Sequence, residues 1–528
     1  MKSLPDVQTE LLATAYRLVL PETALFGAAC ILFLVAAFYP RRWLAIALGL
    51  LGITAAGLIA ATVGPDEIAL FNKAVEGTSF APRSVAPFDP TGVAPFVRWL
   101  SIAAAGLFLL LAYNETTDST ACEYAACVLI VAAGASMVAR ANDLVSLFLA
   151  LEMISIPTYV LLYLPAKSKF GQEAAAKYFL LSVLSSAVLL FGFSYLYGLA
   201  GSTNIGAVVE ALAVAHQHGV SPMALVGVFL AIAGIGFRIA VVPFHFYAPD
   251  VYEGGPTGVV AQLAVVPKIA GMIALARILG MLNPPGDRLP FDSAHTLIPL
   301  TLWVLAAVTM TFGNVMALLQ DNVKRLLAYS GIAHGGYMLI GLVVASAVPE
   351  ATDADFAQSG VDSILFYLVA YALMTIGAFA VIQRVAGTTG DGRVMLDDLA
   401  GLGQTRPATA LAMTIFLLSL IGLPLTAGFM GKFLLFLGAL DSAGPMGTMH
   451  RILVIIAAVN AAIGAVYYLR AIGVMYLRSP MQAASPSKTA PAFAAAILCA
   501  VATIAIGVYP KPLADAAKEA VPTRSSSR

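Results

Sequence analysis

Apolar residues in this chain fall in long unbroken runs, not in alternation. A bilayer core about 30 Å thick needs about 20 apolar residues of helix to cross it. Fourteen runs reach roughly that length: 19–39, 43–63, 92–113, 121–139, 143–164, 171–200, 222–242, 259–281, 296–317, 325–346, 361–386, 406–439, 449–477 and 490–510. Membrane barrel strands alternate apolar and polar positions, so these runs exclude a barrel. The first run contains Pro21 and Glu22 with no small-residue cleavage site after it, which predicts a retained helix and not a removed leader. The fold class expected is an all-α polytopic membrane protein. The stretch 64–91, with Asp66, Glu67, Glu76 and Asp89, reads as an extramembrane loop, and 521–528 as a disordered tail.

Composition sharpens this picture. Of 528 residues, 60% are hydrophobic and 11% charged, and the formal net charge is zero. Mean hydropathy is +0.89. Soluble domains carry about 25% charged residues, so a soluble enzyme is excluded. No basic surface is available for nucleic acid. Cys30, Cys122, Cys127 and Cys499 lie in apolar stretches without a CxxC, which argues against iron–sulfur or zinc binding and for small residues packed between helices.

Loop charge sets the orientation. With the N-terminus outside the cytoplasm, twelve basic loop residues face the cytoplasm: Arg41, Arg42, Lys167, Lys169, Lys324, Arg325, Arg384, Arg393, Arg406, Arg470, Arg478 and Lys488. Five face the other side: Lys73, Arg83, Arg140, Arg288 and Arg451. Both termini are therefore expected outside.

Six basic residues fall inside spans: Arg98, Lys177, Arg238, Lys268, Arg277 and Lys432. Arg98 and Arg277 lie toward span ends, where snorkelling is expected. Glu152 lies about 14 Å along its helix, near mid-membrane. A charge at the bilayer centre costs roughly 2.5–3.5 kcal/mol and persists only if paired or facing water. A static ion pair would explain one such residue. An acid, several bases, His245 and His334 together read as a proton relay, because desolvated lysine and neutral histidine both exchange protons near neutral pH. His216, His218, His295 and His450 lie in or beside loops and read as solvated.

Two spans carry helix breakers. Arg238 is followed by Pro243, Pro249, Gly254, Gly255 and Pro256, and Gly422, Pro424, Gly428 and Gly431 precede Lys432. Interrupted helices in two halves point to internal repeats around a midplane site. The organisation expected is an N-terminal three-helix segment (1–120), repeats at 121–281 and 296–478, and a final helix with a polar tail (490–528). Gly428–Phe433 has the wrong spacing for a phosphate loop, and Phe433 stands where Mg²⁺ needs a hydroxyl.

These segments resemble one family, the antiporter-like membrane subunits of respiratory complex I, and within it the subunit N branch. The resemblance rests on DLVSLFLALEMISIPTYVLLYL (143–164), VPFHFYAPDVYEGGPT (242–257), PKIAG (267–271), DNVKRLLAYSGIAHGGYMLIGL (321–342) and DLAGLGQTRP with SLIGLPLTAGFMGKF (398–433). DVYEG, Lys268 within PKIAG and the absence of a long C-terminal lateral helix carry the narrower likeness. It implies fourteen helices with two inverted five-helix repeats, each containing a broken helix. It also implies proton translocation driven by quinone reduction in other subunits of a NADH–quinone oxidoreductase. Glu152 would be the fifth-helix modulating acid, Lys268 the central eighth-helix lysine and Lys432 the twelfth-helix lysine at the exit side. His245, Lys177, Lys324 and His334 match further positions of the polar axis. The family has lysine where this chain has Arg238.

The resemblance places NADH, FMN, iron–sulfur clusters and quinone in other subunits and no cofactor or metal in this chain. Expected partners are antiporter-like and small membrane subunits and lipid, in the cell inner membrane. Three alternatives remain open: a subunit of a multisubunit cation/proton antiporter or membrane-bound hydrogenase; a non-conducting structural subunit; and a small-solute carrier, for which no distinctive cavity lining is visible.

Overall fold

The computed structural model describes residues 4–62, 88–89, 92–165, 169–217, 221–282, 297–346, 360–386, 394–441, 446–480 and 490–521. Side chains of 4–16 and 213–217 are outside that description, as are His216, His218, His295, most of the 64–91 loop and all but the first residue of the 521–528 tail. Among the described residues the regular structure is helical. In chain order it comprises α1 (Leu4–Phe38), α2 (Arg42–Thr62), α3 (Val93–Glu115), α4 (Ala121–Arg140), α5 (Leu144–Tyr163), α6 (Lys169–Ala200), α7 (Ile205–Gln217), α8 (Pro222–Ile239), α9 (Ala248–Gly254) and α10 (Thr257–Ile278). Then follow α11 (Leu297–Leu318), α12 (Val323–Ser346), α13 (Val361–Ala386), α14 (Leu402–Thr405), α15 (Pro407–Ile421), α16 (Ala427–Leu440), α17 (Gly447–Leu477), α18 (Ala490–Val508) and α19 (Lys511–Glu519).

Among the described residues thirteen helices are long and apolar enough to cross a membrane, and α15 and α16 are two shorter apolar helices that follow one another where the fourteenth run was expected. The run expected at 222–242 stops at Ile239, and the run at 406–439 is cut in the middle. Each cut falls where a residue takes the left-handed conformation: Ala240 at φ 57° and Gly422 at φ 93°. The loop helix α7 and the short amphipathic α19 have no counterpart in the hydrophobic runs.

The two halves share local devices. Asp143 caps α5 by accepting from the N–H groups of Val145 (2.8 Å) and Ser146 (3.2 Å). Asn322 caps α12 the same way, accepting from Lys324 (2.9 Å) and Arg325 (3.1 Å). Each such cap is worth about 1 kcal/mol. Both residues also sit in isolated antiparallel bridges, Asp143 with Asn204 and Asn322 with Met395. Equivalent devices five crossings apart put the second set upside down in the bilayer, since five is odd.

Helices α10 and α12 are buried along their whole apolar lengths. α10 packs on α3, α4, α5, α8, α12 and α13 and forms the centre of the molecule. Close approach uses glycine: a Cβ on Gly271 of α10 would lie 2.8 Å from Ile239 Cγ2 at the end of α8. Many large apolar side chains on the outer helices remain exposed, as lipid contact requires.

Three sequence expectations fail. Arg98 and Arg277 do not snorkel; they are 3% and 6% exposed. Arg98 binds Glu22 of α1 at 2.8 and 3.2 Å, and Arg140 of α4 binds the same carboxylate at 3.1 Å. Ser136 donates to Glu22 at 2.5 Å. Arg277 donates to the Ala139 carbonyl. His450 is buried at 1% exposure, not solvated. Lys177, expected within the membrane, is 41% exposed and paired with Glu173 (2.8 Å) and Asp250 (2.9 Å) at the end of its helix.

Candidate functional site

The candidate site is a line of buried polar side chains running through both halves. It begins on α5, whose Glu152 meets Arg238 from the last turn of α8 at 2.7 Å. Their side chains are 18% and 5% exposed, so the charges face each other away from solvent. Arg238 also donates to the Leu151 carbonyl (3.0 Å), to Ser155 and to Ser186 (3.0 Å). Ser186 of α6 in turn donates to Glu152 at 2.6 Å. The position suits the helix: a cation in the last turn of α8 meets the negative end of its dipole. A buried pair of this kind holds only with its remaining hydrogen bonds satisfied, and the two serines and the carbonyl supply most of them.

One turn of α10 links this pair to the next group. Ile239, beside Arg238, packs on Gly271, and Lys268 is three residues earlier on the same helix. Lys268 is 2% exposed. Its ammonium donates to Ala264 O at 3.3 Å and sits 5.4 Å from the centre of the Tyr371 ring. Among the described residues no carboxylate lies within 4 Å of it. Gly331 of α12 admits it, because a Cβ there would stand 3.4 Å from the Lys268 nitrogen and 2.8 Å from the Tyr371 hydroxyl.

Beyond Lys268 lies His334 on α12. Its ring packs 5.5 Å from Tyr371 and stacks 5.9 Å from Tyr367. Nδ1 shares a 2.5 Å hydrogen bond with Tyr367 Oη, and Nε2 a 3.2 Å bond with Tyr468 Oη. Tyr468 is bonded onward to Ser330. A histidine bonded through both nitrogens to hydroxyls can accept a proton on one side and release one on the other. Both Lys268 and Lys432 lie within electrostatic reach of this ring.

Lys432 on α16 ends the line. Its ammonium donates to the carbonyls of Leu420 (2.8 Å) and Ile421 (2.9 Å), the last residues of α15, and lies 4.8 Å from the Tyr337 ring centre. The break between α15 and α16 therefore exposes the carbonyls that hold this cation.

Of the sequence-derived residues, Glu152, Arg238, Lys268, His334 and Lys432 come together along this line. Lys324 is 3% exposed and donates to Gly255 O at 3.0 Å, at the start of α10. His245 lies in the break after α8, half-buried, with its ring 4.6 Å from Phe312. Lys177 belongs to a surface cluster with Asp250, Glu253 and Arg325 and not to the buried line. Ser155, Ser186, Tyr337, Tyr367, Tyr371 and Tyr468 were not foreseen from sequence. Ser155 carried a signal, three residues after Glu152 and so on the same helix face. Tyr367 and Tyr371 are likewise one turn apart.

Residues 141–464 match the family model described as NADH:quinone oxidoreductase/Mrp antiporter, TM. The chain is 37% identical to NADH-quinone oxidoreductase subunit N of Trichlorobacter lovleyi, over 95% of this chain and 96% of that one. It is 36% identical to NADH-quinone oxidoreductase subunit N 1 of Koribacter versatilis, over 97% and 96%. Among solved structures it resembles a chain of respiratory complex I from Thermus thermophilus with bound aureothin, at 30% identity and a TM-score of 0.72, covering 94% of this chain and 98% of that one. The fold is also that of a chain of the Mrp complex from Dietzia sp., at 20% identity and a TM-score of 0.74 over 94% and 96%.

Proposed function

We propose that this chain, which belongs to the NADH:quinone oxidoreductase/Mrp antiporter membrane family, acts as the proton-translocating subunit N of a respiratory NADH–quinone oxidoreductase. It is a multi-pass membrane protein and works among other membrane subunits of the complex. Quinone reduction elsewhere drives it. NADH, FMN, the iron–sulfur clusters and quinone belong to other subunits, and this chain carries no redox centre.

The observation that carries the reading is the buried line from Glu152 and Arg238 through Lys268 and His334 to Lys432. Arginine stays protonated in almost any protein setting, so the Glu152–Arg238 pair acts as a fixed dipole and not as a proton donor. Opening the pair bares the Arg238 charge close to the Lys268 helix and drives the Lys268 proton toward His334. His334 and its tyrosine hydroxyls relay it to Lys432, from which it leaves. Lys324 and His245 line the approaches, and Lys177 steadies the surface end of α6. The N-terminal segment 1–120 supports the repeats 121–281 and 296–478, and 490–528 closes the bundle. The complex lies in the cell inner membrane with both termini of this chain on the periplasmic side.

The test is Glu152→Gln and Lys268→Ala in the assembled complex. Quinone reductase and proton-pumping activities should fall together, by about tenfold or more. Wild-type pumping per electron in both variants, at normal complex levels, rejects the relay. Impermeant thiol labelling of Asp321→Cys, an exposed position in the loop before α12, from the cytoplasmic side tests the topology; labelling from the periplasm alone reverses it.

A further inference from the structure

Glu115 stands apart from the line above and precedes the residues that the family model covers. It is the last residue of α3, where a carboxylate opposes the dipole of its own helix. It is instead held by another helix. α10, which carries Lys268, starts after Pro256, and no side chain of its own caps it. Buried helix starts need partners for their free N–H groups. The Gly258 N–H donates to Glu115 Oε1 at 2.7 Å. Tyr124 Oη approaches Oε2 at 3.4 Å. The lack of a side chain at Gly258 leaves room for this approach, since a Cβ there would lie 2.9 Å from Glu115 Oε2 and 3.3 Å from Tyr124 Oη.

The same junction is gripped from its other side. Lys324 donates to Gly255 O at 3.0 Å, three residues before Gly258, and lies within electrostatic reach of the Glu115 carboxylate. Gln383 of α13 reaches the same place, donating to Leu111 O at 3.0 Å. Glu115 itself is only half-buried. The next loop carries Asp118, bound to Arg41 and Arg42, so Glu115 opens toward the face rich in basic loops. A half-buried glutamate thus touches the start of the Lys268 helix beside a buried lysine.

We propose that Glu115 is the group that takes up protons from the cytoplasm and hands them to Lys324 at the mouth of the first repeat. The step moves one proton from water to a Glu115 carboxylate oxygen, then to the amine of Lys324 once that amine is neutral. No other bond changes. The hydrogen bond from Gly258 keeps the carboxylate aimed inward, and Tyr124, Lys324 and Gln383 surround it. The proposal rests on the translocation and topology given above.

Glu115→Gln separates the two things the side chain does. The amide oxygen still accepts from Gly258, so the cap survives, but the amide neither takes up nor releases a proton at working pH. In the intact complex, reconstituted in vesicles, Glu115→Gln should lower NADH-driven pumping by about tenfold with assembly preserved. Glu115→Asp should keep pumping close to wild type. Wild-type pumping in Glu115→Gln, or equal losses in both variants, overturns the proposal and leaves Glu115 as a cap. If Glu115→Gln reduces complex levels, an apolar carbodiimide applied to the wild-type complex decides. A Glu115 adduct found by mass spectrometry shows the protonated carboxyl; no adduct overturns the proposal. Lys268→Ala in the same assay separates the failures, since wild-type pumping there removes the translocation reading itself.

Discussion

The two interrupted helices solve one problem in different ways. Each break frees carbonyls at the end of its first half and places a cation beside them. In the first, a neutral hydroxyl takes one carbonyl of the last turn, Tyr247 donating to Phe237 O at 3.1 Å. The cation there, Arg238, turns to Glu152. In the second, the cation takes the carbonyls directly, and no carboxylate within 4 Å answers Lys432 among the described residues. The first break therefore holds a neutral pair with a permanently charged base. The second holds a base that can give up its proton without stranding a partner charge. The difference sets a base whose charge is fixed and paired against one whose charge is free to change, which is the asymmetry the proposed relay needs.

The largest effect should come from Arg238→Met. Removing one member of a buried pair strands the other, at about 3–5 kcal/mol. Pumping should fall to background, while Arg238→Lys keeps substantial pumping because the charge survives; proton uptake in reconstituted vesicles measures both. A Met variant that pumps like wild type dissolves the distinction between the two breaks. Next comes Lys432→Met, which removes two charge-assisted hydrogen bonds worth about 1.5–3 kcal/mol each. It should slow pumping strongly yet leave more assembled complex than Arg238→Met does, as blue-native gels would report. The reverse ranking contradicts the neutral-pair picture.

The backbone at each break gives two smaller contrasts. Gly422→Ala forces a side chain into the left-handed region, costing about 1–2 kcal/mol, and puts a Cβ 3.2 Å from Lys432 Cδ. Its melting temperature in detergent should fall. Ala240→Gly relieves the same strain and should raise stability by up to about 1 kcal/mol after the entropy cost of glycine. If both substitutions move the melting temperature the same way, strain is not what the two breaks share.

Much of this was legible in the chain. Long apolar runs located the crossings because length and hydropathy alone decide insertion. Pro243 and Gly422 marked the cuts because they act on the local backbone. Glu152, Arg238, Lys268 and Lys432 stood out because charge is rare in such runs. What stayed hidden depends on distant partners. Arg98 looked like a snorkelling residue because Glu22 is 76 positions away. Lys177 looked buried because nothing in its own helix shows that Asp250 meets it at the surface. The tyrosines around His334 were ordinary apolar-run residues until α12, α13 and α17 came together. The helices α7 and α19 were missed because neither forms a long apolar run.

The Glu22 cluster also constrains how the chain is made. Arg98 and Arg140 follow Glu22 by 76 and 118 residues. At 5–20 residues per second, the last of them emerges about 6–24 s after Glu22 does. Until Arg98 follows, about 4–15 s after Glu22 at that rate, α1 carries a carboxylate that no arginine yet answers. The cluster predicts that the first helix stays beside the insertion machinery until α3 and α4 arrive, and that the three settle in the bilayer together. Ribosome pausing between residues 98 and 140 would lengthen that wait, and a chain truncated before Arg98 would leave its first helix without a home in the membrane.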